Sequence, residues 1–492
     1  MKASLFSHRA GILLPISALP SHYGIGSLGR GAYRFVDFLA TTGQSYWQVL
    51  PIHPTAFGDS PYQSPSAMAT NPYFIDLDAL VDWGLLRHCE VQEHIDDGVR
   101  IDYGALFDRR IPLLGIAHSR FVPNQAYENF VNKNSHWLFP YSLFMSLKVR
   151  NHFAPWTVWG EEERSFACMR EREAELSSEL SFWYFLEYCF FVQWSSLRRY
   201  AKAKGIHIIG DMPIYVAHDS VEVYHERENF RLREDGLPEV VAGCPPDAFS
   251  PKGQLWGNPI YDWDRMRERN FDFWLRRFAR AFELYDVVRV DHFRGFAGYY
   301  AIPYGSEDAT SGVWHTAPGD SLFRTVRERF PKGKIIAEDL GHITDDVRTL
   351  LSSFDFPGMK VLQFAFDQDD SEYLPRCFET DNCVVYTGTH DSPTTASWLR
   401  TLSKEEREHL RRECPHTVGQ NRVYDLIELA LSSRASLAII PMQDYLCLTD
   451  DEGRMNTPSS PDGNWTYRLS PRYNTRSLRE KILSLVGKTN RI

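Results

Sequence analysis

The chain has 492 residues, with Lys+Arg 54 against Asp+Glu 64, a formal net charge of −10. That balance lacks the basic footprint of a general nucleic-acid binder, and no apolar run approaches the ~20 residues of a membrane-spanning helix. Hydrophobic residues at 43% and charged residues at 24% fit a globular chain. Gly 31 and Pro 28 show no period, which excludes fibrous repeats. At this size roughly three quarters of the unfolded surface is buried, so a core forms without disulfide or metal staples.

Eight short apolar runs lack polar alternation, as strands covered on both faces do. They are Ala10–Leu14, Tyr46–Ile52, Ile206–Ile209, Val287–Val290, Ile335–Ala337, Met359–Phe366, Val384–Thr387 and Leu437–Pro441. Amphipathic helices are predicted between several of them, over Arg30–Thr42, Phe271–Leu284, Leu322–Phe330 and Asp345–Leu351. The pattern predicts an α/β fold, a (β/α)8 barrel occupying 1–492 as one catalytic unit. Two gaps are too long for one helix and its loops. They read as insertions: a mainly helical one near 75–200, and an irregular Pro/Gly-rich lid or binding region near 215–270. A third, helical insertion is expected near 402–434. The amino-terminal apolar stretch is broken by His8 and Arg9 and does not read as a signal peptide. The eight cysteines include no C-x-x-C pair. A reduced, cytoplasmic protein is expected, as a monomer or weak homo-oligomer, with no membrane or nucleic-acid partner.

Four of the runs end in acids: Asp211, Asp291, the Glu338-Asp339 pair, and Asp391 after Gly388-Thr389-His390. A barrel gathers the carboxyl ends of its strands at one mouth, so four acids from four strands predict a shared site. Arg289 and Asp291 lie two apart and face the same side of a strand. A guanidinium there favours the ionised carboxylate. Glu338 and Asp339 face opposite sides, and alternation alone leaves open which one enters the mouth. Clustered acids suit glycoside chemistry, in which one carboxyl protonates the leaving oxygen and another attacks or stabilises the sugar cation. Asp291, His292, His390 and Asp391 are also metal-ligand types, but their spacing is not a zinc signature, and neither metal nor cofactor is expected. Gly24-Ile25-Gly26-Ser27-Leu28-Gly29 matches a dinucleotide motif literally. It has prolines between it and the preceding strand and no acid about 20 residues on, so it reads as a tight loop at the mouth. The aromatic fraction of 14% admits a large core or surfaces that stack on sugar rings.

Several segments resemble the 4-alpha-glucanotransferases, the amylomaltases and disproportionating enzymes related to alpha-amylases. They include RAGILLPISALPSHYGIGSLG (9–29), PYQSPSAMATNPYFIDL (61–77), IGDMPIYVAHDSVEV (209–223), GQLWGNPIY (253–261), VRVDHFRGF (288–296), AEDLG (337–341), GTHD (388–391) and DGNWTYRL (462–469). The resemblance implies Asp291 as nucleophile, Glu338 as general acid/base and Asp391 as the stabiliser that grips the sugar hydroxyls. It implies Asp211, Arg289, His292 and His390 as sugar contacts at the cleavage point. Ser60, Tyr62, Trp256, Asn258 and Asn464 are implied as glucan-binding positions, with Trp465 either a contact or packing. The implied partners are maltooligosaccharides and glycogen- or starch-like glucans. Cys244 and Ala248 depart from the pattern, since many relatives carry an aliphatic residue and a tyrosine there, which bears on how the lid covers bound glucan. An amylase-like hydrolase, or a glucan-binding protein without activity, are the competing readings.

Overall fold

The computed structural model describes residues 6–246, 250–341, 343–414, 420–458, 460 and 462–492. Ala248 lies outside the described residues.

Eight parallel strands form one sheet. They are β1 (Arg9–Leu13), β2 (Tyr46–Gln48), β3 (His207–Met212), β4 (Val287–Val290), β5 (Ile335–Ala337), β6 (Gly358–Val361), β7 (Cys383–Tyr386) and β8 (Leu437–Pro441). Each of the eight apolar runs overlaps one of them. The hydrogen-bonded order runs β6-β7-β8-β1-β2-β3-β4-β5. The sheet curls until its edges meet, where the Ala337 amide donates to the Pro357 carbonyl at 3.0 Å and the Met359 amide to the Asp339 carboxylate at 2.6 Å. This is a (β/α)8 barrel.

Alternation along each strand divides the core into two layers. Leu13, Tyr46, Ile209, Val287, Ile336, Val361, Val384 and Ile439 form one cluster, the barrel interior. Ile12, Trp47, Ile208, Val288, Ala337, Val385 and Ile440 join the larger cluster under the helices. Both layers are buried, which is why the runs show no polar alternation.

The outer helices include Arg30–Thr41, Asp272–Leu284, Gly319–Arg329, Asp345–Ser353, Arg422–Ser432 and Arg476–Lys488. Between β2 and β3 lie three long helices, Tyr103–Arg120, Gln125–Arg150 and Ser177–Ala203. Asp102 and Asn124 cap the first two by accepting from Ala105 N and Tyr127 N. Lys404–Glu413 precedes Arg422–Ser432 in the 402–434 stretch.

One expectation needs correction. The 215–270 region contains two strands, Val240–Cys244 and Gln254–Pro259. They pair antiparallel and continue through Gly298–Pro303 to Val313–Thr316 as a second, four-stranded sheet. Its outer strand, Val313–Thr316, is exposed throughout, and Gln254–Pro259 is half-exposed. These two outer strands are wet and carry little hydrophobic signature, while Val240–Cys244 and Gly298–Pro303 between them are largely buried. No helix among the described residues is long and apolar enough to cross a membrane.

Candidate active site

The interior alternation places the charged residues. In β3, Ile209 faces inward, so Asp211 does too; in β4, Val287 puts Arg289 and then Asp291 on the inner side. Asp211 pairs with Arg289 across the two strands. Both are almost completely buried, at 0% and 3% exposure. Arg289 Nη1 donates to both Asp211 oxygens at 2.7 Å and to Asp291 Oδ1 at 3.0 Å. Burial opposes the guanidinium charge, but Asp211 and Asp291 outweigh it and hold Arg289 firmly protonated.

The tie to Asp211 alters the expected state of Asp291. Burial pushes the Asp291 carboxyl well above its usual range; Arg289 pulls it back, while Asp211, Glu338 and Asp391 push it further up. Arg289 is shared between two acids and leans toward Asp211, so it does not hold Asp291 low as expected from a simple pair.

The choice between Glu338 and Asp339 follows from the same alternation. Ile336 belongs to the interior layer, so Glu338 points into the mouth. Its two oxygens accept from His292 N at 2.6 Å and Leu340 N at 3.0 Å. Burial raises the Glu338 pKa, partly offset by Arg289 and these two amides. Asp339 turns to the barrel seam and accepts from Met359 N. Burial lifts it to about 6.

His292 is left-handed at φ 45°, a strained conformation for a residue with a side chain. That turn, directly after Asp291, aims its amide at Glu338 and sets its ring edge-on to Trp256, centroids 4.8 Å apart. Burial, then the Arg294 charge, push its pKa to about 4, so the imidazole is neutral.

A relay crosses the mouth. The Tyr62 hydroxyl contacts Asp211 Oδ2 at 2.8 Å and His390 Nε2 at 2.9 Å. An ionised carboxylate only accepts, so Tyr62 donates to Asp211 and accepts from His390 Nε2–H. Burial lowers the His390 pKa, leaving a neutral ring. That ring lies parallel to Tyr62, centroids 5.4 Å apart, with Nε2 3.3 Å from Asp391 Oδ2.

Asp391 differs from the other acids in being 46% exposed at its side chain. Its loop hangs on Asp444, Arg454 and Asn456, after β8, to which nothing in the sequence pointed. Asn456 Nδ2 donates to Asp391 Oδ1 at 2.6 Å, and Asn456 N to the His390 carbonyl at 3.1 Å. Arg454 Nη2 donates to the Asp391 carbonyl at 3.0 Å. Buried Asp444 accepts from the Thr387 hydroxyl at 2.5 Å and from Thr395 N at 2.9 Å, clasping both ends of the loop. No apolar period marks these residues; only their position after the last strand could have signalled them.

The remaining candidates serve the frame of the mouth. Ser60 Oγ accepts from Tyr62 N at 3.2 Å and forms the turn presenting Tyr62. Asn258 Nδ2 donates to Val216 O at 2.8 Å, and its oxygen accepts from Gln63 Nε2 at 3.1 Å. Gln63, also missed, thereby ties the Tyr62 turn to the strand carrying Trp256. The Asn464 amide is occupied within its own loop, accepting from Thr457 N at 2.8 Å and donating to Ser460 O at 2.8 Å. Trp465 is buried at φ 63° and packs near Tyr62 and His390, centroids 5.7 and 6.1 Å away. Cys244 ends its strand in the second sheet, half-buried. Among the described residues no group of three or more His, Cys, Asp or Glu could hold a metal ion.

A family model described as 4-alpha-glucanotransferase, glycoside hydrolase 77, matches residues 14–474. The chain is 43% identical over 479 residues to a 4-alpha-glucanotransferase of Clostridium butyricum, covering 96% of this chain and 98% of that one. It is 44% identical over 476 residues to the Thermus thermophilus 4-alpha-glucanotransferase, covering 94% of each. The structure of an amylomaltase from Streptococcus agalactiae in complex with acarbose superposes with a TM-score of 0.95 at 36% identity, covering 98% of this chain and 99% of that one. Sequence and structural agreement of this extent admits one assignment: the chain belongs to the 4-alpha-glucanotransferase family, glycoside hydrolase 77.

Proposed function

We propose that this 4-alpha-glucanotransferase moves a segment of a 1,4-alpha-D-glucan to a new acceptor, glucose or another glucan, by retaining double displacement. The observation that carries the residue roles is the pair of Arg289-linked acids, Asp211 on β3 and Asp291 just after β4, with Glu338 held beside Asp291 by the His292 amide. Asp291 attacks the anomeric carbon while protonated Glu338 gives its proton to the glycosidic oxygen. The C1–O4 bond breaks, and the donor segment is esterified to Asp291. Glu338, now a carboxylate, takes a proton from the acceptor hydroxyl. That oxygen displaces Asp291, restoring both groups with net retention. Esterification removes the Asp291 charge, so more of the Arg289 charge acts on Glu338 and lowers its pKa for the second role. Asp391 accepts from the sugar hydroxyls as the ring distorts, and Asp211, Arg289, His292 and His390 line the cleavage point. Trp256 and Tyr62 supply stacking surfaces that favour an acceptor sugar over water.

The substrates in this reading are maltooligosaccharides and glycogen- or starch-like glucans. All eight cysteines are free, which suits a reducing cytoplasm. Every proposed site residue comes from one chain, so a monomer or weak homo-oligomer suffices, with 1–492 working as one catalytic barrel and its insertions. Incubation with maltotriose tests the function. Glucose together with chains longer than the substrate supports transfer; shortened products alone would establish a hydrolase.

A further inference from the structure

A polar cavity of about 420 Å³ opens beside the helices Phe166–Glu171 and Val221–His225, sharing no wall residue with the barrel mouth. Its volume falls within the range of small-molecule sites. Arg164 and Arg227 line it together with Tyr224 and His225. Neither guanidinium has a carboxylate within ion-pair distance among the described residues, whereas nearby Arg269 and Arg276 are paired with Glu228 at 2.8 Å and Glu226 at 2.5 Å. Arg227 is pre-set: it stacks over Trp156 at 4.4 Å and donates to the Arg164 carbonyl. Arg164 Nε is buried with no acceptor among the described residues. Burial, and then the Arg164 charge, hold Arg227 below its ordinary pKa, as expected for two neighbouring cations with no carboxylate in direct contact among the described residues. His225 adds no charge, since burial and then Arg276 push it down to about 4.

The cavity also presents three carboxylates: Glu228, held by Arg269, and Glu161 and Glu234, which are exposed and without an ion-pair partner among the described residues. Two unneutralised guanidinia call for a compact anion, which they bind in forked geometry. Carboxylates on the same cavity call for hydroxyl donors. A bare phosphate leaves the glutamates facing like charge, and a neutral sugar leaves both arginines unneutralised. We propose that this cavity binds a phosphorylated monosaccharide, its phosphate on Arg164 and Arg227 and its hydroxyls on Glu161 and Glu234.

Isothermal titration of the full chain with glucose 6-phosphate, inorganic phosphate and glucose tests this. The expected result is saturable binding of glucose 6-phosphate, at least tenfold weaker binding of phosphate, and no comparable binding of glucose. Arg164→Gln should weaken glucose 6-phosphate at least tenfold and leave maltotriose turnover unchanged. Glu234→Ala, at an exposed position that leaves the arginines in place, should weaken glucose 6-phosphate severalfold without changing phosphate binding. No saturable binding, binding that survives Arg164→Gln, or equal affinity for phosphate and glucose 6-phosphate would each overturn the proposal.

Discussion

The acids of β3 and β4 and the acid of the Thr387–Thr395 loop reach the same mouth by different physical means. Asp211 and Asp291 ride on adjacent strands whose register sets them beside Arg289, and the guanidinium locks them together. Asp391 sits beyond the end of β7, half-exposed, and is held by Asn456, Arg454 and Asp444 from a segment more than fifty residues later. Strand register makes the first arrangement rigid by construction. Tethers make the second adjustable, which suits the role proposed for Asp391, gripping a sugar ring as it distorts.

Removing the strand-borne chemistry has the largest expected effect. Asp291→Ala should abolish transfer, because no covalent intermediate can form. Glu338→Ala should lower kcat by about 10²–10⁴-fold with natural donors. With a donor bearing an activated leaving group it should lose the basic limb of the pH profile. Azide should then restore turnover as a glycosyl azide of alpha configuration; a beta product would remove the double displacement. In the unaltered enzyme, burial places both carboxyls above their ordinary values. The acidic limb of kcat/KM should therefore lie above the normal aspartate range.

The relay joining the two regions comes next. Tyr62→Phe removes the hydroxyl between Asp211 and His390. A hydrogen bond to a charged group contributes roughly 1.5–3 kcal/mol, so turnover of maltotriose should fall about 10- to 100-fold while thermal unfolding shows a retained fold.

Asn456 tests the tether directly. Asn456→Ala should lower kcat by about tenfold, on the scale of one charge-assisted hydrogen bond, with little change in KM. Asn456→Asp sets a second carboxylate against Asp391, and like charges raise a carboxyl pKa. Its pH–rate profile should shift upward on the acidic side. An unshifted profile would reduce Asn456 to a loop-packing residue.

Glu222 gives the smallest catalytic effect and a distinct stability signature. It anchors the segment after Tyr62, accepting from Ala67 N at 2.8 Å and the Ser66 hydroxyl at 3.1 Å. Burial lifts its pKa from 4.5 to about 7. The folded state thus holds this proton more tightly than the unfolded chain. Its contribution to stability is complete below about pH 4.5 and is lost as pH rises through about 7. Glu222→Gln should flatten that decline in urea unfolding between pH 5 and 8, leaving maltotriose turnover within about twofold, as for a change outside the reacting groups.

The same contrast explains what the sequence disclosed. Strands buried on both faces leave unbroken apolar runs, so all eight were legible, and so was the convergence of acids at their ends. Glu338 and Asp339 could be told apart from residues alone only through family resemblance; in the fold, the inward Ile336 decides it. Asn456 and Gln63 act through single side-chain hydrogen bonds across long sequence separations, and such bonds leave no local pattern. Asn464 was singled out within a conspicuous motif, but its amide serves its own loop. The second sheet was missed because its two outer strands are wet and its members come from both sides of β4.

The seam between β5 and β6 carries a consequence of its own. Asp339 bonds the start of β6 there, and a Cβ on Gly358 would collide with that carboxylate. Residues 338 and 339 stand back to back on one backbone, so the peptide that fastens the barrel's edge also aims the Glu338 carboxyl into the mouth. Architecture and chemistry cannot drift apart at this point. On the roles proposed here, a substitution at 339 or 358 that loosens the closure misdirects the Glu338 proton, and a side chain at 358 is admitted only where the Asp339 carboxylate gives way.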